Sequence, residues 1–302
     1  MNDKIVIVTG ANGNLGSSLV KELADNSAYK VLALARTKDK MHDAIERSGI
    51  TNKDKIIVSS YEEFFAEQKH DSNIFAAVHM AFSRAGKQFA DIADSLEFSK
   101  LLYRKLHELH IPRIVYTSSQ SVYGSVSCWR AENIPAAPET VYSMAKYAGE
   151  KLLEEVFEED DSVKYSSLRL DYVIQSQKLV YTLCRNAKMN SELNLKGGKQ
   201  TFSYIDKTDV AKAVVKLLDH EGEWKRVYNV GHDKMRYTLI EMSDIVLDTA
   251  KKFGKDNIQV NIEENDTELW SGMDSMAFME DTGWKPTKDI YQMVEEIYEE
   301  IC

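Results

Sequence analysis

Cysteine is scarce: Cys128, Cys184 and Cys302 are the 3 in 302 residues, widely spaced and with no CxxC pair. That excludes a disulfide framework and a zinc site of the usual spacing. No apolar run approaches the ~20 residues of a membrane span. Met1-Asn2-Asp3-Lys4 enters a strand-like run directly, which leaves no room for a secretory leader and makes the cytoplasm the expected compartment. Positive charge is also short, with 38 Lys and Arg against 48 Asp and Glu, a net charge of −10. No basic block stands out, which argues against nucleic-acid binding through phosphates. The acidic tail Glu295-Glu296-Ile297-Tyr298-Glu299-Glu300 reads as the solvated face of a terminal helix. There is no internal repeat and no low-complexity segment. What is present, 43% hydrophobic residues, can fill the core of a large α/β domain plus a smaller one.

Lys4-Ile5-Val6-Ile7-Val8 is an unbroken β-branched run, as suits a central parallel strand buried on both faces. Thr9-Gly10-Ala11-Asn12-Gly13-Asn14-Leu15-Gly16 follows at once, and a helical pattern runs from Ser17 to Asp25. Gly10, Gly13 and Gly16 permit a tight turn, close backbone approach to a phosphate and tight helix-on-strand packing. The helix then aims its free N–H groups at a pyrophosphate. Strand, glycines and helix in this order predict dinucleotide binding by Gly10, Asn12, Gly13, Asn14, Leu15 and Gly16.

A second strand, Lys30 to Ala35, ends at Arg36, the position that chooses between cofactors. An acidic residue there would accept hydrogen bonds from the ribose hydroxyls of NAD(H). Arg36, with Thr37, Lys38 and Lys40, instead offers positive charge to a 2′-phosphate, so NADP(H) is expected over NAD(H).

Further strands are expected at Lys55–Ser59 and Phe75–Met80, separated by a helix over Glu62–Gln68. This alternation predicts a doubly wound parallel sheet. His79, inside the fourth strand, is expected to be a satisfied core histidine. Ala81-Phe82-Ser83 ends that strand on the edge where such sheets bind ligands. A long helix, about Lys87 to His110, leads through Pro112 into Ile114-Val115-Tyr116, which stops at Thr117-Ser118-Ser119-Gln120-Ser121-Val122-Tyr123-Gly124.

The next helix reads Tyr142-Ser143-Met144-Ala145-Lys146-Tyr147-Ala148-Gly149-Glu150. Tyr142 and Lys146 share one helical face, and an ammonium beside a phenol favours the phenolate. A strand-end hydroxyl facing them would hold a substrate oxygen while the phenol moves its proton. Tyr147 and Lys151 repeat the same spacing, so the spacing leaves two candidate pairs.

Taken together these segments resemble the extended short-chain dehydrogenase/reductases, also called the NAD-dependent epimerase/dehydratase family. The likeness covers essentially the whole chain. It rests on Thr9–Gly16, His79-Met80-Ala81, Thr117–Gly124, Tyr142–Glu150, Leu168-Arg169, Phe202–Ala211, Val227–Gly231 and Gly283–Pro286. The resemblance implies Ser119, Tyr142 and Lys146 as the catalytic residues, with Lys146 also holding the nicotinamide ribose and Ala81 beside the cofactor. It leaves Tyr147 structural and needs no metal. It implies a Rossmann domain at 1–172, to which 203–232 returns, and a smaller, mostly helical substrate region at 173–302. The cleft between them would be lined by Phe82, Ser83, Tyr123 and Tyr172. A homodimer through the helices Lys87–His110 and Val141–Phe157 is a further expectation.

Four departures mark the substrate side. Gln200 stands where many sugar-nucleotide enzymes of this group carry an Arg. Leu170-Asp171-Tyr172-Val173-Ile174-Gln175 replaces a Pro-x-Asn-Val-x-Gly segment. Gln120-Ser121 replaces the Asp-Glu of the dehydratases, and Ser60 replaces an Asp that often holds adenine. The expected activity is hydride transfer at a secondary alcohol/ketone carbon of a small polar substrate. A cofactor-retaining sugar-nucleotide epimerase and a non-catalytic NADP sensor are the alternatives.

Overall fold

The computed structural model describes residues 4–67, 73–83, 87–233, 235–266 and 269–301. Seven parallel strands form the main sheet: β1 (Ile5–Thr9), β2 (Lys30–Ala35), β3 (Ile56–Ser60), β4 (Ile74–His79), β5 (Arg113–Ser119), β6 (Lys164–Leu170) and β7 (Val227–Val230). Their order is β7-β6-β5-β4-β1-β2-β3. The order reverses between β1 and β4, the crevice in which doubly wound sheets take ligands. All five residues of β1 are buried, as its unbroken apolar run requires.

Helices α1 (Asn14–Asn26), α2 (Lys38–Arg47), α3 (Tyr61–Ala66), α4 (Phe89–Glu108) and α5 (Val141–Phe157) flank the sheet. The ends differ from the sequence expectations by one to three residues where local bonding decides. Ser60 joins β3 and also caps α3, accepting from Glu63 N–H, so the helix starts at Tyr61. Gln68, the expected end of that helix, lies outside the described residues.

Beyond β6 the chain builds α6 (Lys178–Met189), α7 (Lys207–Asp219), α8 (Leu239–Lys252), α9 (Met276–Thr282) and α10 (Ile290–Glu300). Leu183, Met242, Val246, Met293 and Ile297 of α6, α8 and α10 form a core separate from the one around β1. Tyr237–Thr238 pairs antiparallel with Thr201–Phe202, and Thr238 then caps α8. Helix α7 instead packs on α1, and β7 hydrogen-bonds to β6. No described helix is long and apolar enough to cross a membrane.

Candidate functional site

Gly10 turns the chain out of β1 at φ 66°. A side chain on Gly16 would place its Cβ 2.1 Å from the Gly10 carbonyl oxygen, so only glycine lets α1 sit this close to the strand it follows. Gly13 caps α1 without a side-chain bond, and the first turn carries no acidic residue. The N–H groups at this helix start are therefore free to meet an anion. Asn12 is exposed, Leu15 packs against the core, and Asn14 Nδ2 donates to Ser176 Oγ at 3.2 Å.

The loop is held from beneath by a buried chain of hydrogen bonds. The N–H groups of Met80 and Ala81 donate to Thr9 Oγ1, at 3.1 and 3.2 Å. The Thr9 hydroxyl is then the donor to His79 Nδ1 (2.8 Å), which leaves the His79 Nε2 proton for Ser99 Oγ at 2.9 Å. Burial pulls the His79 pKa down to about 3, so the ring is neutral and satisfied within the core.

Arg36 is exposed at the end of β2 and makes no ion pair among the described residues. Lys38, expected beside it, is bound to Glu63 at 2.6 Å. That contact leads the causes that lower the Glu63 carboxyl to about 2. Tyr61, which the sequence reading passed over, offers its hydroxyl to Gly10 N–H at 2.9 Å. Its place, immediately after β3, was the available signal.

Ser119 ends β5, where its hydroxyl accepts from Ser121 N–H (3.2 Å) and Ser121 Oγ (3.0 Å), and it lies near enough to Tyr142 to oppose the effect of burial on the phenol. Thr140 starts α5 by a reciprocal cap with Ser143, which fixes Tyr142 in the first turn. Lys146 is 5% exposed and donates to the Thr117 carbonyl at 2.8 Å. Its Nζ lies 4.2 Å from the centre of the Phe82 ring, which meets Tyr142 edge-on. A Cβ at Gly149 would fall 2.5 Å from Tyr116 Oη, so glycine there seats α5 on β5 and brings phenol and hydroxyl together. Of the two Tyr–Lys pairs, this one reaches Ser119. Tyr147 packs against the cluster of Val122, Tyr123 and Met273, while Lys151 pairs with Glu154.

The expected effect of Lys146 on the phenol is overturned in this state. Burial raises Tyr142 to about 12, opposed by the nearby Ser119 hydroxyl. Burial also lowers Lys146 to about 7, opposed by the Glu150 carboxylate. Desolvation outweighs the attraction, and each group is pushed towards its neutral form.

Beneath the trio, Glu150 accepts from Ser118 Oγ (2.5 Å) and from Arg169 Nε (3.0 Å) and Nη2 (2.7 Å). This two-pronged pair ties α5 to β6. Tyr123, expected in the cleft, is fully buried, donates to Asn229 Oδ1 at 2.8 Å and lies under Arg169. It belongs to the frame that joins β6 and β7 to the Ser119 turn. Ser83 N–H bonds to Ser95 Oγ, and Tyr172 is half-buried beside Tyr204. Asp171, buried one residue before Tyr172, accepts from Gln120 Nε2 at 3.1 Å and from Ser203. Burial raises it to about 6. Among the described residues, no group of three or more His, Cys, Asp or Glu is arranged to hold a metal.

A glycine turn at the reversal of a doubly wound sheet, with hydroxyl, phenol and ammonium at the end of the fifth strand, defines a dinucleotide-binding protein of the short-chain dehydrogenase/reductase type. The comparisons narrow this. The model of the NAD dependent epimerase/dehydratase family matches residues 6–231, and the chain belongs to that family. It is similar to the ADP-L-glycero-D-manno-heptose-6-epimerase of Alkalilimnicola ehrlichii, at 24% identity over 81% of this chain and 80% of that one. Among solved structures it resembles the UDP-N-acetylglucosamine 4-epimerase of Bacillus cereus (TM-score 0.79, 22% identity, 98% of this chain and 99% of that one). It also resembles the UDP-glucuronic acid 4-epimerase of Bacillus cereus in complex with NAD, with a TM-score of 0.79 at 20% identity over 98% of each chain.

Proposed function

We propose that this chain is an NAD(P)-dependent oxidoreductase that oxidises or reduces a secondary alcohol/ketone carbon in a small polar molecule. The observation that carries this reading is the Tyr142 phenol brought beside the Ser119 hydroxyl on the helical face that also carries Lys146. The uncapped start of α1 and the close Gly10–Gly16 turn fit a dinucleotide pyrophosphate. Bound there, the dinucleotide supplies a nicotinamide ring that accepts or donates hydride.

Ser119 holds the substrate oxygen and Tyr142 exchanges its proton. With Tyr142 held near 12, the free protein presents a protonated phenol, suited to donating to a ketone oxygen. A positive charge arriving beside it favours the phenolate and the reverse direction. Lys146 exchanges the Thr117 carbonyl for ribose hydroxyls. Arg36 meets a 2′-phosphate, which favours NADP(H). The substrate sits between residues 1–172, joined by 203–232, and the smaller region 173–302. Phe82, Ser83 and Tyr172 contribute to its walls.

Exposed apolar side chains on α4 and α5, Phe89 (72%), Leu101 (46%), Val141 (46%) and Met144 (51%), support a homodimer through those helices.

A second reading, an epimerase that oxidises and re-reduces one carbon, is favoured by the names of the relatives. One experiment separates the two. The purified protein is assayed for bound dinucleotide, then screened against alcohols, ketones and sugar nucleotides at the nicotinamide absorbance band. Net absorbance change at turnover supports the oxidoreductase. Stereochemical inversion without net change, on tightly held cofactor, supports the epimerase. Neither outcome from a protein that binds dinucleotide would end the enzymatic reading.

A further inference from the structure

Two arginines with no counter-ion among the described residues stand beyond the Ser119 turn. Arg130 is 5% exposed, and its Nη2 donates to the carbonyls of Gly124 (3.2 Å) and Trp270 (2.7 Å). Its Nε and Nη1 are buried without a hydrogen-bond partner among the described residues. Arg236 lies between two indoles, its guanidinium carbon 3.6 Å from the Trp129 ring centre and 3.9 Å from that of Trp270. Stacking covers both faces of that guanidinium, so only its edge remains for polar contact. On that edge Nε and Nη2 also have no partner. These two parallel N–H groups are the fork that grips a carboxylate or phosphate through two hydrogen bonds.

Neither arginine makes an ion pair among the described residues. Burial lowers the pKa of both, and the Arg130 guanidinium adds to the cost of holding Arg236. The carboxylate whose field reaches Arg130 is Asp171, already engaged by Gln120, Ser203 and Tyr172 N–H. Buried donors without partners are rare in folded proteins, and a buried cation without a counter-ion is rarer.

The position relates this pair to the reaction. Ser119 and Gly124 bound a one-turn 3₁₀ segment, Gln120–Tyr123, with Ser119 at one end and the Gly124 carbonyl that Arg130 binds at the other. At ~2 Å per residue the two ends are about 10 Å apart. Resting on the assignment of the cleft as the substrate site, we propose that Arg130 and Arg236 form an anion subsite. It takes a carboxylate or phosphate group carried by the substrate at the end remote from its reacting carbinol. The indoles of Trp129 and Trp270 hold the Arg236 fork in one plane and shield it from water.

Tryptophan emission tests this without turnover, so the result is independent of whether Tyr142 is catalytic. Of the four tryptophans, Trp224 and Trp284 are buried at 8% and 2% exposure, whereas Trp129 and Trp270 flank Arg236. The full chain, with its glycine turn filled by saturating oxidised NAD or NADP, is titrated with inorganic phosphate, pyrophosphate, malonate and citrate. Ionic strength is held constant with chloride. A saturable change in emission is expected from at least one class, and the class that responds tells phosphate from carboxylate. Arg236→Gln and Arg130→Gln should weaken it at least tenfold, and Arg236→Lys, which keeps the charge but not the fork, should weaken it as well. The proposal is overturned if no anion gives a saturable response beyond chloride. It is equally overturned if Arg236→Lys binds dinucleotide and anion as the parent does, or if the arginine variants lower only the melting temperature.

Discussion

The two walls of the proposed cleft are finished to different degrees. Under the glycine turn one run of buried polar groups is closed, from the Met80 and Ala81 N–H groups through Thr9 and His79 to Ser99, whose hydroxyl ends on the Ser95 carbonyl, although the Tyr103 hydroxyl beyond His79 has no partner among the described residues. On the proposed substrate side, Arg130 Nε and Nη1 and Arg236 Nε and Nη2 are buried without partners among the described residues. A wall that meets its ligand through main-chain N–H groups can be complete before the ligand arrives, because backbone geometry is fixed by the fold. A wall that recognises through side chains leaves its donors open until a ligand satisfies them. The difference teaches where generality and specificity reside in this molecule.

The sharpest break in that comparison is chemical. Tyr142→Phe should lower turnover by about 10²–10⁴-fold, the usual worth of a positioned proton donor, with dinucleotide affinity unchanged. Tyr147→Phe, on the same helix but packed against Val122 and Tyr123, should change turnover little. Equal losses from the two in steady-state kinetics would refute the choice between the pairs. Next in size is the frame. Glu150→Ala leaves the Arg169 guanidinium, 6% exposed, buried and unpaired. Removing one member of a buried pair costs about 3–5 kcal/mol. Urea unfolding should show that loss, and a cost below about 1 kcal/mol would mean that the pair is not what joins α5 to β6.

Much of the first wall was legible in the sequence because short-range rules write it. An unbroken apolar strand, glycines where a Cβ would strike the Gly10 carbonyl, and a capped helix presenting Tyr142 and Lys146 are each set by neighbours in the chain. Three things were not legible. Tyr123 read as a cleft aromatic, but its burial depends on Asn229 and Arg169, which are distant in sequence. The Tyr142–Lys146 spacing suggested a lowered phenol pKa, yet the depth of burial decides that sign, and spacing says nothing of depth. Arg130 and Arg236 are lone arginines in loops, where no periodicity marks them. Their stacking on Trp129 and Trp270 comes from tertiary structure alone.

The completed wall has a pH signature. His79 has a folded-state pKa of about 3, below the 6.5 of the exposed ring. The unfolded chain therefore binds the proton more readily between those values. The stability that His79 contributes is fully present above pH 6.5 and is lost as pH falls towards 3, with a slope of up to about 1.4 kcal/mol per pH unit. Denaturant midpoints measured across that range should fall accordingly, and His79→Gln should flatten the dependence. An unchanged slope in the variant would place the acid sensitivity elsewhere.

The smallest effect sharpens the comparison at the ribose end, where the first wall also uses side chains. Arg36 is exposed and free of ion pairs among the described residues, whereas Lys38 is held at 2.6 Å by Glu63. If a 2′-phosphate is read here, Arg36 does most of the reading. Arg36→Asp removes a charge-assisted contact of about 1.5–3 kcal/mol and should lower the ratio of NADP to NAD affinity at least tenfold. Glu63→Gln removes the ion pair that holds Lys38, while the amide oxygen can still accept from Ser60 N–H. Because exposed ion pairs are worth about 0–1 kcal/mol, it should raise the same ratio by no more than about fivefold. Calorimetric titration of both variants with both dinucleotides measures the two shifts. Opposite signs with the larger belonging to Arg36 support the assignment. A ratio indifferent to Arg36→Asp would mean that β2 ends without selecting a phosphate, and that NAD, the cofactor named with the Bacillus cereus UDP-glucuronic acid 4-epimerase, serves here as well.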